Sequence, residues 1–333
     1  MNLPDDLQAA LADKLQAVSA RNMAHVAEEL SKRYRSGHAS GREQDQRTFL
    51  RSREDVIAYA AYRLPATFAA IYAALVELRA RRPGWSPRSL LDVGAGPGTA
   101  MWAAAAVWPE LEQITLLERD QHMLTFGKEL APHARSLAVK KAVWQRVDLT
   151  EQWECNLHDL VIGAYLLGEL PFTVHEEIIS RLWSRCGDVL LIVEPGTPRG
   201  FSLVRSTREQ LLVHGAATLA PCPHNLTCPI ATNDWCHFAQ RIDRSRLHRN
   251  VKGAKLAYED EKFSYIAIAR TQGRPIDARV IRHPQKRGGH VHLELCTPDG
   301  LKHSIVSRSE REAYREAQDL RWGSAISNKA NDV

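Results

Sequence analysis

The chain has 333 residues, 44% of them hydrophobic and 25% charged, with a formal net charge of +5. This is ordinary globular composition with length enough for two compact units, and no stretch approaches the roughly 20 apolar residues of a membrane span. The start MNLPDDLQ lacks the basic and apolar runs of a secretory signal, and its acids are foreign to a mitochondrial transit peptide, so a cytoplasmic location with reduced thiols is expected.

Apolar residues at helical spacing, among them Leu7, Leu11, Leu15, Val18, Met23 and Val26, predict an amphipathic opening over residues 4–35. A polar loop follows at SGHASGREQDQ, and helical pattern resumes in YAAYRLPATFAAIYAALVELRARR until Pro83. Residues 1–87 thus read as a helical N-terminal extension, a packing cap in which nothing specifies chemistry. From Ser89 short apolar runs alternate with helices, the signature of a parallel sheet with crossovers. Strands are expected at SLLDV, QITLLE, AVWQRV, LVIGAY and DVLLIV, and helices over residues 100–107, 122–130, 174–185 and 201–214. The fold class is therefore α/β, with residues 88–215 as its core. Residues 216–260 form a cysteine-rich basic loop. Residues 261–333 carry strand pattern in FSYIAIAR, HVHLELC and LKHSIVS, expected to complete the core, and a charged terminal helix.

In LLDVGAGPGT an apolar strand runs into Gly94, Gly96 and Gly98, where missing side chains let the backbone turn sharply and approach a ligand. The G-x-G-x-G spacing lacks the third glycine position of the dinucleotide fingerprint and places Asp92 just before the loop. A carboxylate there suits the cationic methionine moiety and sulfonium of S-adenosylmethionine, whereas a pyrophosphate favours uncompensated helix amides. Glu118, at the end of the next strand, is placed to accept from ribose hydroxyls, and Asp148 to contact the adenine amino group. Residues 88–200 resemble class I S-adenosylmethionine-dependent methyltransferases on these motifs. After the fourth strand stands GAYLLGELP, without the Pro-Pro motif of enzymes that methylate base amino groups. Tyr165 and Glu169 are the candidate catalytic residues, with Glu169 as general base. Methyl transfer from a sulfonium can also proceed on alignment alone, which leaves no diagnostic side chain.

APCPHNLTCPIATNDWCHFAQR sets Cys222, Cys228 and Cys236 in a C-x5-C-x7-C pattern, and Cys296 follows in LELCTPDG. Zinc pairs favour gaps of two to four residues, so the wider gaps point to the spread corners of a 4Fe-4S cluster. Zinc stays an alternative, with His224 or His237 in place of a thiolate. Asn225 and Thr227 are candidates for hydrogen bonds to sulfur. Cys155 and Cys186 read as buried apolar residues. Residues 199–333 hold 22 Lys and Arg against 14 Asp and Glu. Arg241, Arg244, Arg246, Arg249, Lys252 and Lys255, interspersed with Trp235, Phe238 and Tyr258, suit RNA: cations for phosphates and rings for unstacked bases.

Taken jointly, RLPATFAA, LLDVGAGPGT, YLLGELP, CPHNLTCPI with DWCHFAQR, RNVKGAKLAYEDEKFSYIA and LELCTPDG resemble the methyltransferase-like ribosomal small-subunit assembly proteins, known from mitochondria and with bacterial relatives. The resemblance runs over most of the chain. It implies a Rossmann-like class I methyltransferase sheet, S-adenosylmethionine binding, a 4Fe-4S cluster on Cys222, Cys228, Cys236 and Cys296, and association with small-subunit ribosomal RNA and the assembling small subunit. Two functions are then expected to compete: an rRNA methyltransferase, and a non-catalytic assembly or translation factor that uses the fold to hold rRNA.

Overall fold

The structure is a computed structural model and describes residues 1–16, 52–243 and 258–327. Helix α1 (Asp5–Gln16) opens the chain; the expected helix beyond residue 16 and the loop at 36–46 lie outside the described residues. The pattern before Pro83 resolves into α2 (Arg53–Tyr62) and α3 (Leu64–Arg81), bent by 50° at the break. Pro65 accounts for the break, because its nitrogen has no hydrogen to offer the carbonyl four residues back. Along α3, Leu64, Phe68, Ile71, Leu75 and Leu78 recur at helical spacing, and all are buried against the sheet.

The sheet is built from β1 (Ser89–Val93), β2 (Gln113–Glu118), β3 (Val143–Arg146), β4 (His158–Ala164), β5 (Cys186–Pro195), β6 (Ala217–Ala220), β7 (Phe238–Asp243) and β8 (Tyr258–Ala269). Its order is β3-β2-β1-β4-β5-β8-β6. The first five strands are parallel, while β8 runs antiparallel to β5 and β6. This is a class I methyltransferase sheet, with helices α4 (Thr99–Val107), α5 (Gln121–Leu130), α6 (Leu137–Lys140), α7 (His175–Ser184) and α8 (Pro198–Val213) in its crossovers. Strand order reverses between β1 and β4, and the crevice beyond their carboxyl ends is where such sheets bind ligands.

Two expectations about the later segments need correction. Residues 216–260 are not all loop, because β6 and β7 fall inside them and both pair with β8. Strand β8 is long: residues 263–269 pair with β5, and residues 258–263 overhang the edge of the parallel sheet and pair with β7. HVHLELC and LKHSIVS do not complete the core either. They become β11 (His290–Thr297) and β12 (Gly300–Ser307) of a second sheet with β9 (Ala278–Val280), β10 (Gln285–Arg287) and β13 (Ala325–Ile326). Alternation along β11 explains this: Val291, Leu293 and Leu295 are buried with Ala317 of α9 (Arg311–Asp319), and His290 and Glu294 are exposed. A strand with one solvated face does not fit a sheet covered on both sides.

Candidate cofactor pocket and cysteine cavity

The glycine loop lines a pocket of about 330 Å³ together with Asp92, Ala95, Pro97, Thr99, Ala164 and Tyr165. Gly94, Gly96 and Gly98 have φ of 65°, 54° and 83°, a region that side-chain-bearing residues rarely adopt. The turn is held by Gly94 and Ala95 amides donating to the Leu117 carbonyl at 2.9 and 3.1 Å. Asp92 lies at the pocket floor, where its carboxylate accepts from the Met101 amide at 3.1 Å. Burial pushes that carboxyl up to about 8, a nearby Glu118 adds to the rise, and the Met101 amide opposes it. Among the described residues lining the pocket, Asp92 is the one carboxylate.

The expected ribose and adenine acids are placed differently. Glu118 accepts from the amides of Gly96 and Asp120, each at 2.7 Å, so its carboxylate clamps the glycine loop. Asp148 accepts from the Thr150 amide and hydroxyl at 3.0 and 2.7 Å and sits 3.7 Å from Arg119. Burial raises its carboxyl, but the Thr150 donors and Arg119 outweigh burial and leave it below the usual range. Neither acid lines the pocket.

Tyr165 does line it, with φ of 56°. Its hydroxyl donates to Glu261 of β8 at 3.0 Å, and Arg63 donates to the same carboxylate at 3.1 and 3.4 Å. Burial raises the Tyr165 phenol well above its usual value, so it stays protonated. Glu169 is exposed and does not line the pocket. The N-terminal helices, expected to carry no chemistry, supply Tyr59, Thr67 and Ile71 to the pocket wall. Their local sequence contains no sign of this, since the contact is made across the fold.

Cys222, Cys228, Cys236 and Cys296 all line a second cavity of about 600 Å³. Three come from the segment joining β6 to β7, and Cys296 comes from β11 of the second sheet. Burial raises the thiols of Cys222, Cys236 and Cys296, the last to about 12. Arg208 shapes the cysteine loop by donating to the carbonyls of His224 and Leu226 at 2.9 and 2.5 Å. Arg279 is 1% exposed and donates to the Pro221 carbonyl at 2.8 Å and to Glu77 at 2.5 Å. Both guanidiniums line the cavity, and Nε of Arg208 and Nη2 of Arg279 have no hydrogen-bond partner. Sequence reasoning passed over both, because a lone arginine in α8 or β9 looks like any surface cation.

His224 Nε2 lies 3.7 Å from Cys296 Sγ, whereas His237 stacks on Trp235 and meets Trp322 edge to face, outside the lining. Asn225 turns away to accept from Thr218. Among the described residues, no group of three or more His, Cys, Asp or Glu is disposed to hold a single metal ion. Cys186 is buried and Cys155 half-buried. Of the basic cluster, Arg241 pairs with Asp260 and stacks over Tyr258, while Arg244, Arg246, Arg249, Lys252 and Lys255 lie outside the described residues. Phe238 packs in the core.

The family described as mitochondrial small ribosomal subunit Rsm22 matches residues 53–327, a span that contains both pockets. The chain belongs to the Rsm22 family. This Rsm22-family chain is 33% identical over 290 residues to the human ribosome assembly protein METTL17, mitochondrial, with 81% of the chain and 62% of that relative covered. It is 20% identical to the Saccharomyces cerevisiae ribosome assembly protein RSM22, mitochondrial, over 82% of the chain and 67% of the relative. The chain thus spans less than two thirds of the human relative. Among solved structures, magnesium protoporphyrin IX methyltransferase from Synechocystis PCC 6803 with bound SAH aligns at a TM-score of 0.40 and 12% identity, over 75% of this chain and 100% of that one.

Proposed function

We propose that this chain is a small-subunit ribosome assembly protein that acts on ribosomal RNA in the cytoplasm. It binds S-adenosylmethionine in the glycine-loop pocket and a 4Fe-4S cluster on Cys222, Cys228, Cys236 and Cys296. The observation that carries the reading is the convergence of four thiols, drawn from both sheets, on one cavity that also holds two buried guanidiniums with unpaired N–H groups. Buried unpaired donors are costly, and an anionic group between the thiolates would satisfy them. Zinc requires four ligand atoms within roughly 4 Å of one another. The described residues offer no such single-ion constellation. When bound, the cluster supplies a covalent tie among four cysteines, and S-adenosylmethionine supplies an activated methyl group. The assembly role is supported by the names of the human and yeast relatives. The RNA partner is supported by the excess of cations in residues 199–333.

Methyl transfer to rRNA is the second reading, favoured by Asp92, a carboxylate suited to a cationic donor, in a pocket bounded by Tyr165. Anaerobically purified protein, assayed for iron and sulfide, is incubated with labelled S-adenosylmethionine and immature small subunits from cells lacking it. Label in the RNA establishes the enzyme, and cofactor binding with cosedimentation but no label leaves the non-catalytic assembly role. Protein that carries neither iron nor cofactor, or that ignores the subunit, overturns the proposal.

A further inference from the structure

Two elements border both pockets. Helix α3 places Thr67 and Ile71 in the glycine-loop pocket, and further along it Glu77 pairs with Arg279, a wall of the cysteine cavity. Strand β8 places Glu261 beneath Tyr165 at the first pocket, and Ser264, Tyr265 and Ile266 in the wall of the second. The Ser264 hydroxyl donates to the Cys236 carbonyl at 2.8 Å. Helix α3 is fastened at its start to β8, by Arg63 to Glu261, and further along to β9 of the second sheet, by Glu77 to Arg279. Glu77 lies fourteen positions after Arg63, about 21 Å at 1.5 Å per residue, yet packed elements of this kind move as units.

We propose that α3 and β8 couple the two pockets energetically, with Glu261 as the positioning residue that sets Tyr165 and Arg63 at the glycine-loop pocket according to whether the cysteine cavity is filled. The inference rests on the reading that this cavity takes an anionic cluster. With the cavity filled, the free N–H of Arg279 has a partner and Glu77 holds α3 in register. With it empty, a buried cation retains an unpaired donor, and β9, which carries Arg279, shifts to satisfy it and draws α3 along through Glu77. The shift reaches the far end of α3 at Arg63 and the near end of β8 at Glu261. Coupling of this kind is reciprocal: a ligand in the first pocket must favour filling of the second by the same factor.

The test uses the full chain under anaerobic conditions and S-adenosylhomocysteine as a non-reacting probe. Its Kd is measured by calorimetry before and after iron is removed by a chelator, for the wild type, Glu261→Gln and Glu77→Gln. The wild type is expected to bind about fivefold or more weakly once emptied, within the usual range of coupling between sites. The probe should also slow iron loss to the chelator. In Glu261→Gln the ratio of the two Kd values falls close to one while the iron content of the loaded form is kept, and the melting temperature of loaded and emptied forms falls alike because Arg63 loses its counter-ion. Glu77→Gln, which lines neither pocket, gives the same collapse from the other end. A wild type that binds the probe equally well loaded and emptied overturns the coupling, as does a Glu261→Gln protein with the wild-type ratio. Loaded wild type that binds no probe, or protein purified without iron, removes the underlying functional reading as well, so the two failures are distinguishable.

Discussion

Asp92 is 2% exposed, and with its carboxyl near 8 it is largely neutral at pH 7 while its pocket is empty. A sulfonium or ammonium beside it favours the carboxylate, so ligand binding expels a proton below that pH. Affinity for S-adenosylmethionine should therefore rise from pH 6 to 8, by up to about tenfold per unit, and level off above. Asp92→Asn should bind more weakly at pH 8 and show no slope; calorimetry in buffers of different ionisation enthalpy reads the proton directly. Glu194 offers a parallel case in stability. It is fully buried, it accepts from the Leu167 amide at 2.7 Å, its second oxygen has no partner, and burial pushes it up to about 8. The unfolded chain loses this proton near 4.5 and the folded one keeps it, so stability falls as pH rises between those values and is level above. Glu194→Gln keeps an acceptor for Leu167, and its melting temperature should decline less between pH 5 and 8; an unchanged decline would remove Glu194 as the cause. At this scale Asp92, Gly94 and Gly96 were legible, because a strand-end glycine run forces its own geometry. Glu118 was legible as a strand-end acid beside the loop, while its hold on the Gly96 amide is a contact that spacing alone does not foretell.

Helix α5 shows how an element fixes the loop from outside. A Cβ on Gly127 would come within 2.2 Å of Trp144 Cη2, and the same ring atom would lie 2.9 Å from a Cβ on Gly98. Trp144 of β3 is thus wedged between α5 and the glycine turn. Gly127→Ala gains roughly 0.5–1 kcal/mol of helix propensity and incurs overpacking of about 1–3 kcal/mol, so net destabilisation is expected. Urea unfolding should show it, together with weaker binding in the glycine-loop pocket; a more stable variant would mean that Trp144 swings clear. The strands β1, β2, β4 and β5 were legible as buried apolar runs. Strands β6 and β7 were not, because β6 has four residues and both flank a Pro- and Cys-rich segment whose composition reads as loop. What makes them strands is β8, a partner fifteen or more residues distant in sequence.

Across the whole molecule, charge and chain path meet at the β7–β8 ladder. Asp243 and Tyr258 are paired in register, so the basic segment 244–257 enters and leaves at one place. Replacing that segment with a two-residue Asn-Gly turn, which suits an antiparallel pair, should leave iron content and the melting temperature near wild type. RNA affinity should fall and its salt dependence flatten, since five cations, Arg244, Arg246, Arg249, Lys252 and Lys255, are removed. Equal affinity and slope by filter binding would place the RNA contact on other cations.

The cysteine cavity draws its fourth thiol from a strand made late in synthesis. A chain interrupted before Cys296 already contains every residue of the glycine-loop pocket and of the large sheet, and three of the four thiols. Such a fragment could resemble the finished protein at one pocket and still lack a wall of the other. Under the proposed cluster reading, a group held by all four thiols can be taken up only once both sheets have been translated.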